Sequence, residues 1–113
     1  MIYRVGQGSA NPSPTDAKMY LNTQGAKYGF RGQEGLFNTV NKITDDTISA
    51  IKNAKSALSS GRITDQRSVA AIKNELEALK VKCRGLATVA AQAGLTGASY
   101  QSSLQSRISA DCN

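Results

Sequence analysis

This sequence predicts an all-α fold: a long antiparallel helical hairpin with a short N-terminal helix and a C-terminal helix packed back on it. Three observations carry that expectation. Over residues 69–93, apolar or small side chains recur at alternating steps of three and four, at Val69, Ile72, Leu76, Leu79, Cys83, Leu86, Ala90 and Ala93. This is the spacing of a helix that packs lengthwise on a partner. A second row at Phe37, Val40, Thr44, Thr47, Ile51, Ala54 and Leu58 precedes it. Between the rows, Ser59-Ser60-Gly61 supplies a glycine cap and Thr64-Asp65 a helix start, so the chain reverses there.

The elements follow in order within one domain spanning residues 1–113. Residues 1–13, with Gly-Gln-Gly-Ser-Ala-Asn-Pro-Ser after a short apolar start, are expected to form a flexible arm. Pro14 suits the first turn of a helix capped by Ser13, with Asp16 at the positive end of the dipole, and this short helix covers residues 14–23 and stops near Gly25. After a glycine-rich connection, the first long helix spans 33–60, widened by Leu36, Ile43, Ile48 and Ala57. The second long helix is expected over 64–94. A tight reversal sets the register, with Ala54 near Val69, Ile51 near Ile72, Thr47 near Leu76, Val40 near Cys83 and Phe37 near Leu86. A final helix over 97–112 carries Tyr100, Leu104, Ile108 and Cys112 at steps of four and folds back on the Ala-rich residues 80–93.

Composition narrows the chemistry. Aromatic residues make up 5% of the chain and Trp is absent, so the core rests on aliphatic side chains between closely spaced helices. With His at 0, the usual general acid or base of neutral pH is missing, and two Cys cannot make a four-ligand zinc set. Asp45 and Asp46 are adjacent and point to different parts of a helix surface, and the serines near residue 100 lack a matched base. No enzyme, metal or cofactor is therefore expected. No run of about 18 apolar residues is present, and the N-terminus lacks the apolar core of a secretory signal. The formal net charge of +6 argues for acidic partners or solvated cationic surfaces.

Three groups of residues stand out. Cys83 and Cys112 come within disulfide reach once the last helix folds back, and a bridge between them points to an extracellular or virion-associated protein exported without a cleaved signal. The alternative is two reduced, partly buried thiols in a cytoplasmic protein. Lys52, Lys55, Arg62 and Arg67 gather at the hairpin tip with Asp65 the only nearby acid, a basic patch able to grip phosphate or a carboxylate-rich partner. The loop Lys27-Tyr28-Gly29-Phe30-Arg31-Gly32 sets the aromatics Tyr28 and Phe30 between cations, with Arg31 beside them. That chemistry suits single-stranded bases. The favoured reading is a packing loop whose aromatics cap the open end of the hairpin.

The stretch Leu58-Ser-Ser-Gly-Arg-Ile63, after an amphipathic helix and before Thr-Asp, resembles the Leu-Ser-Ser-Gly turn of flagellin-type subunits. Arg84-Gly-Leu-Ala-Thr-Val-Ala-Ala-Gln-Ala resembles their next helix. The likeness covers well under half of the chain and departs after Gly61, where the residue usual before the Arg is missing. It implies an exported helical assembly subunit. The thin Ala-rich core, the expected arm and the missing catalytic apparatus favour a non-enzymatic structural or interaction protein, a helical subunit of a virion, secretion apparatus or extracellular filament, and the resemblance adds slightly to that expectation. The expected partner is protein, including further copies of this chain. The alternative is a small basic nucleic-acid-binding or regulatory protein that uses the hairpin tip.

Overall fold

The computed structural model describes residues 12–113, and every regular element among them is helical. In chain order these are α1 (Pro14–Ala26), α2 (Gly32–Ser59), α3 (Gln66–Arg84), α4 (Leu86–Gln92) and α5 (Ala98–Asp111). The fold is all-α, as the two rows predict. Most of the expected arm lies outside the described residues; of its last two positions, Pro12 is buried and Ser13 is the cap of α1.

The Ser13 hydroxyl accepts from the Asp16 N–H at 3.1 Å, and Pro14 opens α1 without wasting a donor. Ala17, Leu21 and Gly25, at steps of four, form its buried edge. The helix ends at Ala26, near Gly25 as expected and three residues beyond the expected bound at residue 23. At Gly25 α1 approaches α2 so closely that a Cβ would overlap Thr39 Oγ1. Reversal comes later, where Gly29 takes a φ of +78° and Gly32 a φ of +70°. Gly35 is a second close approach, with room for a Cβ denied by the Phe30 backbone carbon at 2.9 Å.

Three threonines are buried along α2. The hydroxyls of Thr39 and Thr44 donate back to the carbonyls of Gly35 at 2.6 Å and Val40 at 2.7 Å, so neither enters the core unsatisfied. At the end of α2, Gly61 adopts a φ of +73°. The next helix begins two residues later than expected, because Asp65 rather than Thr64 is the cap, accepting from the Ser68 N–H and hydroxyl, each at 3.0 Å.

The expected single helix over 64–94 is interrupted at Gly85, which keeps right-handed helical angles of φ −85° and ψ −6° while its N–H is shared between the carbonyls of Val81 and Lys82. The result is one long helix with a bend. Its second limb, α4, turns toward α1 and buries Leu86, Ala87, Val89 and Ala90. Gly94, at φ +97°, ends that limb, and buried Leu95 pins the reversal with its N–H on the Ala90 carbonyl at 2.9 Å. Gln101 Nε2 then donates to the carbonyls of Leu95 and Ala87, tying α5 to α4.

From there α5 runs in the same direction as α2. Tyr100 stands edge-on to Phe37 at 4.9 Å between ring centroids, Arg107 pairs with Asp45, and Lys55 Nζ donates to the Asn113 carbonyl. The Gly25 crossing gives a direct test of this packing. Gly25→Ala, which in an open helix interior would stabilise, should here lower the unfolding free energy by about 1–3 kcal/mol, measured as an earlier urea midpoint with an unchanged slope.

Candidate functional site

Cys83 and Cys112 are joined by a disulfide, with Cα atoms 5.5 Å apart and both side chains fully buried. Cys83 sits two residues before the bend, and Cys112 caps α5. Polar contacts gather beside the bridge. Arg84 Nη1 donates to Asn113 Oδ1 at 3.5 Å, and Asn113 Nδ2 donates to the Ser109 carbonyl at 3.1 Å. The end of α5 is thus held to α2 and α3 at one point.

The basic tip is only partly assembled. Lys52, Arg62 and Arg67 are exposed, and no carboxylate lies within ion-pair distance of them among the described residues. Lys55 is drawn away to Asn113. The Asp65 carboxylate accepts from Ser68 and makes no ion pair with the tip cations among the described residues.

Helix α3 is open along much of its length. Of its 19 residues only Leu76 and Cys83 are fully buried; Val69, Ile72 and Leu79 from the predicted row are half-buried, and Val81 is 40% exposed. Ala70, Ala71 and Ala78 are exposed as well. Among the described residues, none covers the side of this helix that carries Ala70, Ala71, Ala78 and Val81.

The loop between α1 and α2 forms a different kind of surface. Phe30 is half-buried, whereas Tyr28 is 45% exposed, so the two aromatics do not both cap the hairpin as expected. Their ring centroids are 5.8 Å apart and tilted by 32°. The Lys42 ammonium lies over the Tyr28 ring at 5.5 Å from its centroid, and it pairs with Asp46 at 3.4 Å. The Tyr28 hydroxyl reaches toward the same carboxylate at 3.5 Å. Half-buried Lys82 completes the cluster from α3: burial pushes its ammonium below the usual lysine range, Asp46 opposes that shift, and Lys27 adds to it. Arg31 is exposed at the cap of α2 and makes no ion pair among the described residues. Sequence reasoning missed this cluster: the spacing of four between Lys42 and Asp46 is the one local signal for it, and Lys82 joins only through the tertiary fold.

Elsewhere the chemistry is sparse. A shallow open recess along α5 is lined by Ser102, Gln105, Ser106, Ser109 and Ala110, none of which titrates near neutral pH. Among the described residues, no group of three His, Cys, Asp or Glu converges, and no helix is long and apolar enough to cross a membrane. Burial raises the pKa of Tyr20 and of Tyr100, and the Tyr100 hydroxyl, enclosed against Phe37, has no hydrogen-bond partner among the described residues. Comparison with family models, with characterised proteins and with solved structures finds no match.

The disulfide makes a quantitative prediction. It closes a loop with a sequence separation of 29. Chain-entropy reasoning assigns such a loop about 3–4 kcal/mol. The Cys83→Ser, Cys112→Ser double variant should unfold at a urea concentration lower by that amount of free energy, while native protein analysed without reductant should be lighter by two hydrogens than its reduced form.

Proposed function

We propose that this chain is a non-enzymatic interaction protein, a helical subunit that docks through the open side of α3 against other subunits. The observation that carries the reading is the coverage of that helix, 19 residues long with two fully buried. An amphipathic helix gains its stability from burying apolar surface, and the face of α3 opposite its core row, with Ala70, Ala71, Ala78 and Val81, is left exposed among the described residues. A second helix laid along the exposed Ala70, Ala71, Ala78 and Val81, which share the face opposite buried Leu76 and Cys83, would cover that side. The basic composition keeps the free subunit soluble and favours an acidic partner surface. The buried disulfide favours an oxidising location, which supports an extracellular or virion-associated subunit over a cytoplasmic one.

A second reading rests on the unneutralised cations at the tip. There Lys52, Arg62 and Arg67 present charge with no carboxylate partner among the described residues, the electrostatic footprint of a protein that grips phosphate backbones.

Two measurements separate these readings. Light scattering across a concentration series should show species heavier than the 11.9 kDa chain. Val81→Glu should weaken that association by about tenfold or more, since it buries an unpaired charge in the contact. A strict monomer that retains no partner in a pull-down would count against docking. For the tip, replacing Lys52, Lys55, Arg62 and Arg67 together by Ser should abolish salt-dependent nucleic-acid binding if the second reading holds; a parent protein that binds none at low salt ends it.

A further inference from the structure

The corner where the α1–α2 loop crosses α2 and α3 carries features that packing alone does not explain. Tyr28 is one of three large apolar side chains left exposed among the described residues, yet it is held in place rather than loose. Lys42 covers part of its ring and Asp46 receives its hydroxyl. Asp46 thereby serves both Tyr28 and Lys42, while Lys27 and Lys82 reach the same corner from two other elements with no carboxylate at ion-pair distance among the described residues. The corner therefore combines a fixed, exposed aromatic ring with an excess of positive charge, Lys27, Lys42 and Lys82 from three separate stretches of chain against the one carboxylate of Asp46.

We infer that this corner binds a nucleotide unit, with phosphate oxygens taken by Lys27 and Lys82 and the base stacked on the exposed side of Tyr28. Each part of the ligand answers one part of the corner. Two ammonium groups that repel one another gain from a shared anion between them. An exposed tyrosine gains from a planar ring, which a base supplies and a carboxylate-rich peptide does not. Lys42 and Asp46 position the ring and do not need to touch the ligand. The recognition is tolerant of base identity, because every base offers a π-face and no buried hydrogen-bonding group lines the corner. The inference is independent of the docking role assigned to α3, since it depends on Tyr28 and on cations from three elements.

A labelled single-stranded oligothymidylate, titrated against the full chain at low salt by fluorescence anisotropy, tests it. Binding is expected, and Tyr28→Leu should weaken it about tenfold, the effect of losing one stacked base. Tyr28→Phe, which keeps the ring, should bind as the parent does. Lys27→Gln with Lys82→Gln should flatten the log–log salt dependence by about 1.4, for two phosphate contacts on a single strand. Lys73→Gln, elsewhere on α3, serves as the charge control and should change little. Competition by thymidine monophosphate marks a site for a free nucleotide, whereas competition only by the strand marks a site for single-stranded nucleic acid; either supports the inference. Should Tyr28→Leu fail to fold, ring-current shifts of the Tyr28 resonances in the parent on adding thymidine monophosphate or the unlabelled strand decide the matter. The inference is overturned if the parent does not bind, if Lys73→Gln weakens binding as much as the paired lysine change, if polyglutamate displaces the strand as well as nucleotides do, or if the Tyr28 resonances do not move.

Discussion

The position of α5 depends on the covalent link between Cys83 and Cys112 more than on any other contact. Its fully buried apolar side chains are Leu104 and Ile108, with Tyr100 half-buried. At about 25 cal/mol per Å² these supply only a few kcal/mol against the entropy of ordering a 14-residue helix. The Arg107–Asp45 pair is exposed, and such pairs contribute about 0.2–1 kcal/mol. The disulfide removes conformational freedom from the unfolded chain instead, an effect larger than the contribution of that ion pair and independent of salt. It acts at the end of α5 farthest from the Gly94 reversal, so one covalent point and one hydrogen-bonded turn hold the helix at both ends.

The other half of the bundle depends on shape. Gly25 and Gly35 remove side-chain bulk where α1, the following loop and α2 meet, and Thr39 fills the resulting space while returning its hydrogen bond to Gly35. The price of a helical glycine, about 0.5–1 kcal/mol relative to alanine, is offset by the close contact it permits. This crossing also fixes where the chain emerges from α1. Tyr28 follows Gly25 by three residues, its N–H bound to the Gly25 carbonyl at 3.0 Å, and so it is delivered onto the Lys42–Asp46 turn of α2.

Sequence periodicity was enough to place the helices, because Val69, Ile72, Leu76 and Cys83 or Val40, Thr44, Thr47 and Ile51 can share a face only at helical pitch. Capping chemistry located most of the ends: Ser13 with Pro14, Gly61 and Gly94 act as their residue types suggest. Two glycines carry roles that local sequence does not report. Gly25, beside the end of α1, also permits a close tertiary approach; Gly85 lies inside the stretch read as one helix yet bends it while keeping φ and ψ in the right-handed region. Exposure was the least legible property. A half-covered Ile72 and a buried Leu76 follow the same spacing, and only the three-dimensional arrangement separates them.

The two surfaces proposed for this chain meet on α3. Val81 belongs to its open side, and Lys82, the next residue, belongs to the corner beside Asp46 and Lys27. Neighbouring residues on a helix point about 100° apart, so these side chains leave the axis in different directions while sharing one turn. A helix docked along Val81 would remove water from one flank of the corner, and Coulombic attraction strengthens as water is excluded. Such a partner would raise the affinity of Lys82 for phosphate if it brought no acid of its own, and would lower it if it placed a carboxylate there. If both proposals hold, assembly and anion binding would be linked through the chemistry of whatever covers Val81, and by thermodynamic reciprocity an anion at Lys82 would bias the choice of that partner in the same measure.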